Sequence, residues 1–219
     1  PYINLSLGRR HFLDEGSGPA LILLSANPGD ARDWSAVMPA LAKEYRVLAV
    51  DWPGYGGSDI PTDSGYWTPL DFYNVLTEFI QKLGLDQIRI IGNSMGGNTA
   101  ARLAALQTDW VCKIVLVAPG GFTPHNLITR LFCRWMGSRY AMSPKRWASL
   151  YLQKRTPVVQ EMLDRASTTQ SQMKRLILNR SLWRSFAGPD NDLRQLASQV
   201  KTPTLLVFGK ADPAISAQR

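Results

Sequence analysis

Ile90-Ile91-Gly92-Asn93-Ser94-Met95-Gly96-Gly97 decides the fold: an apolar run enters a Gly-x-Ser-x-Gly turn and leaves it into the helix-forming stretch 99–106. A serine on so sharp a strand-to-helix turn has a strained backbone, and Gly92, Gly96 and Gly97 let the turn close without side-chain collision. The turn lifts the hydroxyl above the sheet. It also sets it at a helix N-terminus, where free N–H groups and the helix dipole favour the negative charge of acyl transfer. Ser94 is therefore the candidate nucleophile.

Outward from this turn, short β-branched and Leu-rich runs at Ala20–Leu24, Arg46–Val50, 88–91, 113–117 and 204–208 alternate with helical stretches. That rhythm predicts a mostly parallel sheet with crossover helices. Between the second and third runs, Phe72, Val75, Leu76, Phe79, Ile80 and Leu83 fall on one helical face. Thr68 can cap that helix, Pro69 fits its first turn, Asp71 stands at capping-box spacing and Gly84 can close it. Residues 2–15 read as a leading antiparallel hairpin that turns near Gly8. After Ala118-Pro119-Gly120-Gly121 the rhythm stops until Thr204, and residues 122–200 read as an inserted helical cap containing Leu131, Phe132, Trp135, Trp147 and Trp183. The expected organisation is an α/β core of residues 1–121 and 201–219 interrupted by this cap.

A chain of 219 residues, 45% of them apolar, suffices for one α/β domain with such an excursion. No apolar run approaches the roughly 18 residues a membrane helix needs. The first residues show no basic-then-apolar leader, and Cys112 and Cys133 do not make a disulfide framework, so a cytoplasmic setting is the default expectation. The net charge of +8 is local: residues 122–200 hold 13 of the 25 Lys/Arg but only 4 of the 17 Asp/Glu, which leaves the rest nearly neutral. Scattered basic residues read first as a solvated helical face. Attraction for an anionic substrate, or weak contact of the basic cap with a membrane surface, is the second reading. The glycines match neither phosphate-cradling pattern, and no cofactor, metal or nucleic-acid partner is expected.

At this point the chain resembles the α/β-hydrolase superfamily, from about Arg10 to Pro213. Leu23-Leu24-Ser25-Ala26-Asn27-Pro28-Gly29 occupies the place of the family's oxyanion loop, usually His-Gly-x-Pro-Gly, with Ser25-Ala26 in place of His-Gly. The donors there are backbone N–H groups. Pro28 has none, which points to Asn27, with Met95 after the nucleophile as the second. The stretch 51–59 resembles the family's Asp-x-Pro-Gly-x-Gly-x-Ser and reads as a structural turn. Leu205-Leu206-Val207-Phe208-Gly209-Lys210-Ala211-Asp212-Pro213 resembles the family's Gly-x-x-Asp-Pro after a late strand, which implies Asp212 as the triad acid.

The family order is Ser, acid, His. His11, in the leading hairpin, is expected at the surface. His125, at the cap entrance, reads as a loop residue, a pocket residue or a replacement base. The resemblance implies that the triad histidine, a last strand and a final helix lie beyond Arg219, and that the 219-residue chain alone is nearly inactive. Dehalogenases and epoxide hydrolases of this fold use Asp at the turn, so Ser94 implies a serine hydrolase acting on a small carboxylic ester or related acyl substrate. The stretches 92–97 and 118–121 are also similar to the meta-cleavage-product hydrolases, which break carbon to carbon bonds in dienoic acids. In that reading a cap arginine, Arg180 or Arg184, could pair with a substrate carboxylate. A non-catalytic binding protein of the same fold is the third reading, and the oligomeric state stays open.

Overall fold

A computed structural model describes residues 1–63, 65–152, 154–210, 212 and 215. Among the described residues, seven strands form one sheet: β1 (Tyr2–Leu5), β2 (Gly8–Glu15), β3 (Ala20–Leu24), β4 (Arg46–Val50), β5 (Ile88–Asn93), β6 (Val111–Val117) and β7 (Thr204–Val207). Their spatial order is β1-β2-β4-β3-β5-β6-β7, with β2 antiparallel to both of its neighbours and every other pair parallel. The helices are α1 (Met38–Leu41), α2 (Pro69–Lys82), α3 (Met95–Leu106), α4 (Leu127–Met136), α5 (Pro144–Tyr151), α6 (Pro157–Ser171) and α7 (Met173–Ser185). Strands β5 and β6 run longer than their apolar runs, because Gly92 and Asn93 at the end of β5 still pair with Leu116 and Val117, and Val111 at the start of β6 pairs with Ile88. Hydrogen bonding to a neighbour, rather than side-chain character, sets those ends.

The central strands alternate as a sheet covered on both faces requires. Ile22, Leu24, Leu48 and Val50 join the cluster of α2 and α3, while Leu21, Leu23, Val47 and Ala49 join that of Met38 on α1. Helix α2 starts where Asp71 accepts hydrogen bonds from the Thr68 N–H at 2.8 Å and the Thr68 hydroxyl at 2.9 Å. It ends beside Gly84, whose φ of 60° suits glycine. Its predicted face is buried: Phe79 meets Phe12 edge-on at 5.2 Å and Phe72 meets Trp52 at 5.0 Å.

Helices α4 to α7 fall within residues 122–200. Of these, α6 and α7 touch the loops that leave the C-terminal ends of the parallel strands. Arg165 on α6 reaches Asp33 at 2.5 Å, the Ser181 hydroxyl of α7 accepts from the Trp67 N–H at 2.9 Å, and Arg175 donates to the Gly56 carbonyl at 3.2 Å.

His11 is half-buried rather than a surface residue. Pairing of β2 with β4 brings it beside Asp51, whose carboxylate lies 2.7 Å from its Nδ1. That carboxylate also accepts from the Ala31 and Gly57 N–H groups at 2.7 and 2.8 Å. A Cβ at Gly56 would lie 2.0 Å from it, so the turn 51–59 depends on glycine there.

Candidate active site

Ser94 stands between β5 and α3 at φ 51°, ψ −108°, outside the regions a non-glycine residue adopts without strain. Its N–H donates to the Val117 carbonyl at 3.0 Å, and its own carbonyl accepts from the Asn98 and Gly120 N–H groups, both at 2.9 Å. These bonds hold the turn against the start of α3 and against the loop after β6. A Cβ at Gly92 would lie 2.4 Å from the Gly96 carbonyl oxygen, and one at Gly96 would lie 2.2 Å from that of Leu24. Both contacts are with backbone, which cannot give way as a flexible side chain can. The glycines therefore permit the turn, and Gly96 seats the N-terminus of α3 against the end of β3.

That contact brings the loop after β3 to the same place, since Leu24 and Gly92 are paired neighbours on adjacent strands. Ser25 is buried and braces the loop. Its hydroxyl donates to the Asp30 carbonyl at 2.8 Å and accepts from the Trp34 indole at 2.9 Å, while the Trp52 indole donates to its carbonyl at 2.8 Å. The Asn27 side chain is buried as well. Its Oδ1 accepts from the Tyr55 hydroxyl at 2.6 Å and from Asn179 of α7 at 3.2 Å, and its Nδ2 has no hydrogen-bond partner. Burial raises the Tyr55 phenol pKa, so it remains a neutral donor to Asn27. Met95 is buried at the first position of α3.

Asp212 lies in the turn after β7, where its N–H donates to the Gly209 carbonyl at 3.2 Å and its Oδ1 accepts from the Ile215 N–H at 2.9 Å. Its neighbours Ala211 and Pro213 lie outside the described residues. Strand β7 pairs with β6 and β6 with β5, so Asp212 and Ser94 leave the same end of the sheet from strands two places apart. His125 lies in the loop before α4. Its Nε2 is buried without a partner, and among the described residues no hydrogen bond joins it to Ser94. Asp192, held down to about 2 chiefly by its bond to Arg194, also feels a smaller pull from His125.

Arg180 and Arg184 separate. The Arg180 Nε is buried and unpartnered one residue from Asn179, whereas Arg184 is exposed and donates to the Gly137 carbonyl at 2.8 Å. A cavity of about 150 Å³ is lined by Asp30, Asp33, Tyr55, Met162, Arg165 and Arg175 among others, and by neither Arg180 nor Arg184. Neither Ser94 nor Met95 lines it; the cavity is a charged seam where α6 and α7 meet the loops. Burial pushes Asp33 up to about 6 against the opposing hydrogen bond from Arg165. Burial would raise Asp30 too, but the Arg32 and Arg165 guanidiniums outweigh it and hold Asp30 below the usual range. Asn179, Asp33 and Arg165 carry no local motif, and Tyr55 fills an unspecified position of the turn 51–59, so nothing short of their assembly marks them.

Against this geometry the family profile described as the α/β hydrolase fold matches residues 19–212. The chain belongs to that family. Among curated relatives, haloalkane dehalogenase 2 of Mycobacterium tuberculosis is 31% identical over 137 residues, which cover 63% of this chain and 48% of that protein. A 2-hydroxy-6-oxononadienedioate/2-hydroxy-6-oxononatrienedioate hydrolase of Burkholderia vietnamiensis is 26% identical over 222 residues, covering 93% of this chain and 75% of that protein. The chain spans only 38% to 48% of the length of the mycobacterial relatives it matches. Among solved structures, the enol-lactonase of Burkholderia xenovorans LB400 superposes with a TM-score of 0.82 at 21% identity, over 100% of this chain and 84% of that one. Among the described residues, no helix is long and apolar enough to cross a membrane.

Proposed function

We propose that the protein is a serine hydrolase that cleaves a small carboxylic ester or related acyl substrate through an acyl-enzyme. The strained backbone of Ser94, held between Gly92 and Gly96, carries this reading, since strain that the surrounding structure over-determines clusters at active sites. The backbone N–H groups of Asn27 and Met95 are assigned to the oxyanion hole, Asp212 to the triad acid and residues 122–200 to a cap over the substrate. Two strand spacings, about 10 Å, separate the ends of β5 and β7, so Asp212 acts through an imidazole rather than on Ser94 directly. His11 is committed to Asp51. The family order assigns the base to a histidine following Asp212, with His125 as the alternative.

The test is labelling of the native gene product by a fluorophosphonate probe, with and without Ser94→Ala. Loss of labelling in the variant is expected. Labelling that persists would remove Ser94 from the role, and absence of labelling in the parent would favour a binding protein of this fold. His125→Ala is expected to leave labelling intact.

A second reading, hydrolysis of a carbon to carbon bond in a dienoic acid, draws on the 26% identity to the Burkholderia vietnamiensis hydrolase over 93% of this chain. Arg180, with its unpartnered Nε, is the substrate-carboxylate partner in that reading, because Arg184 is tied to Gly137. Turnover of a dienoic acid without turnover of simple esters selects it.

A further inference from the structure

Helix α4 is built inside out. At 100° per residue, Leu127, Ile128, Leu131, Phe132 and Trp135 share an arc of about 140°, and they are 69%, 77%, 53%, 37% and 42% exposed. The side turned to the protein carries Thr129 and Cys133, which are partly exposed, and the buried Met136. Ordinary amphipathic helices of globular proteins do the reverse.

The helix is firmly seated in this orientation. Asn126 Oδ1 caps it by accepting from the Thr129 N–H at 3.0 Å, and the Gly137 N–H closes it on the Cys133 carbonyl at 3.0 Å. Phe132 packs against Trp147 and Trp183 at 5.6 and 5.9 Å between ring centroids, an aromatic support beneath one edge of the exposed face. Arg130 and Arg134, both exposed, flank the other edge.

Contiguous apolar surface of this kind marks an interaction site, and the charge around it identifies the partner. Residues 122–160 contain seven Lys/Arg and no Asp or Glu. Two copies meeting on this face would bring Arg130 and Arg134 against their own counterparts with no carboxylate from this stretch between them, an unfavourable juxtaposition. An anionic lipid surface supplies the missing countercharge, and the apolar arc supplies the insertion. Ten residues make a helix of about 15 Å, too short to span a bilayer and suited to lying in its interface.

We propose that α4 docks the protein on an anionic membrane surface, with Leu127, Ile128, Leu131 and Trp135 inserted among the acyl chains and Arg130 and Arg134 on the headgroups. The proposal is independent of the reaction at Ser94.

The test is co-sedimentation of the whole protein with vesicles of phosphatidylcholine alone or with about one-third phosphatidylglycerol. Binding is expected to the anionic vesicles, and to weaken when salt is raised to about 0.5 M. Ile128→Asp with Leu131→Asp is expected to weaken partitioning at least about tenfold, with an unchanged far-ultraviolet circular dichroism spectrum. Arg130→Glu with Arg134→Glu is expected to abolish the preference for phosphatidylglycerol. A measurement independent of the folding of these variants uses lipids brominated on the acyl chain, which quench the parent protein and spare Trp135→Phe in proportion to that residue's share of the emission. Absence of binding, or binding indifferent to lipid charge and to the apolar substitutions, overturns the proposal. So does a dimer in light scattering that Ile128→Asp with Leu131→Asp dissociates, which assigns the face to a second copy.

Discussion

Helix α2 turns Phe72, Val75, Leu76, Phe79 and Ile80 into the sheet, none more than 1% exposed, while α4 turns Leu127, Ile128 and Leu131 to solvent at 69%, 77% and 53%. Both helices carry apolar residues at helical spacing, and both start at a capping residue, Thr68 or Asn126. What lies beneath them differs. Helix α2 covers the apolar face of the sheet around Phe12 and Trp52, whereas α4 meets Trp147 of α5 and Trp183 of α7 through the ring of Phe132. An apolar stripe records that a face will be gathered by a helix, and leaves open which surface receives it.

The sharpest way to break this contrast is in the core. Phe79→Ala removes a ring packed on Phe12 and is expected to cost about 3–5 kcal/mol of stability, read from the urea midpoint. A midpoint unchanged by that substitution would mean that α2 is not held by its apolar face.

The attachment of the helical segment to the loops below gives a second, smaller effect, because it rests on charge. Asp33, pushed up to about 6 from its ordinary 3.8, binds its proton more tightly in the folded state. Its folded-state pKa is raised, so its contribution favours folding at low pH and is lost as pH climbs from about 4 to about 6. The lowered carboxylates Asp30, Asp192 and Glu78 act below about pH 4.5, in the opposite sense. Between pH 4.5 and 6, stability is therefore expected to fall with rising pH, by at most about 2 kcal/mol. Asp33→Asn should flatten that slope in urea titrations, and a slope that persists in the variant would assign it to another group.

The smallest effect belongs to α4. Ile128→Asp and Leu131→Asp, made singly, are expected to change stability in the absence of lipid by less than about 0.5 kcal/mol, the range of exposed surface positions. A loss comparable to that of Phe79→Ala would show that the face is buried in solution and would erase the contrast with α2.

Much of the framework is local in origin, and so was legible before any coordinates. The alternation in Ala20–Leu24 and Arg46–Val50, the stripe and caps of α2, and the Gly-x-Ser-x-Gly turn at Ser94 each depend on residues within one or two turns of chain. The site was legible only in part. Ser94, Met95, Asn27 and Asp212 follow strand ends, and strand ends can be read from short runs. Ser25 carries no local sign of its role: its hydroxyl joins Trp34 and Asp30, with the Trp52 indole on its carbonyl, in one brace for the loop.

Sequence by itself determined that this chain builds a mostly parallel sheet with a serine on a strained strand-to-helix turn, because backbone periodicity and glycine spacing act over a few residues. Tertiary structure alone decided that Asn27 meets Tyr55 and Asn179, that His11 pairs with Asp51 instead of facing water, and that Arg180 and Arg184 part company. It also decided that α4 presents its apolar face outward. Each of these is a choice between partners 28 to 152 residues apart, or about which side of a helix finds a neighbour. Such choices are set by how the layers stack, and no window of sequence contains both halves of the contact.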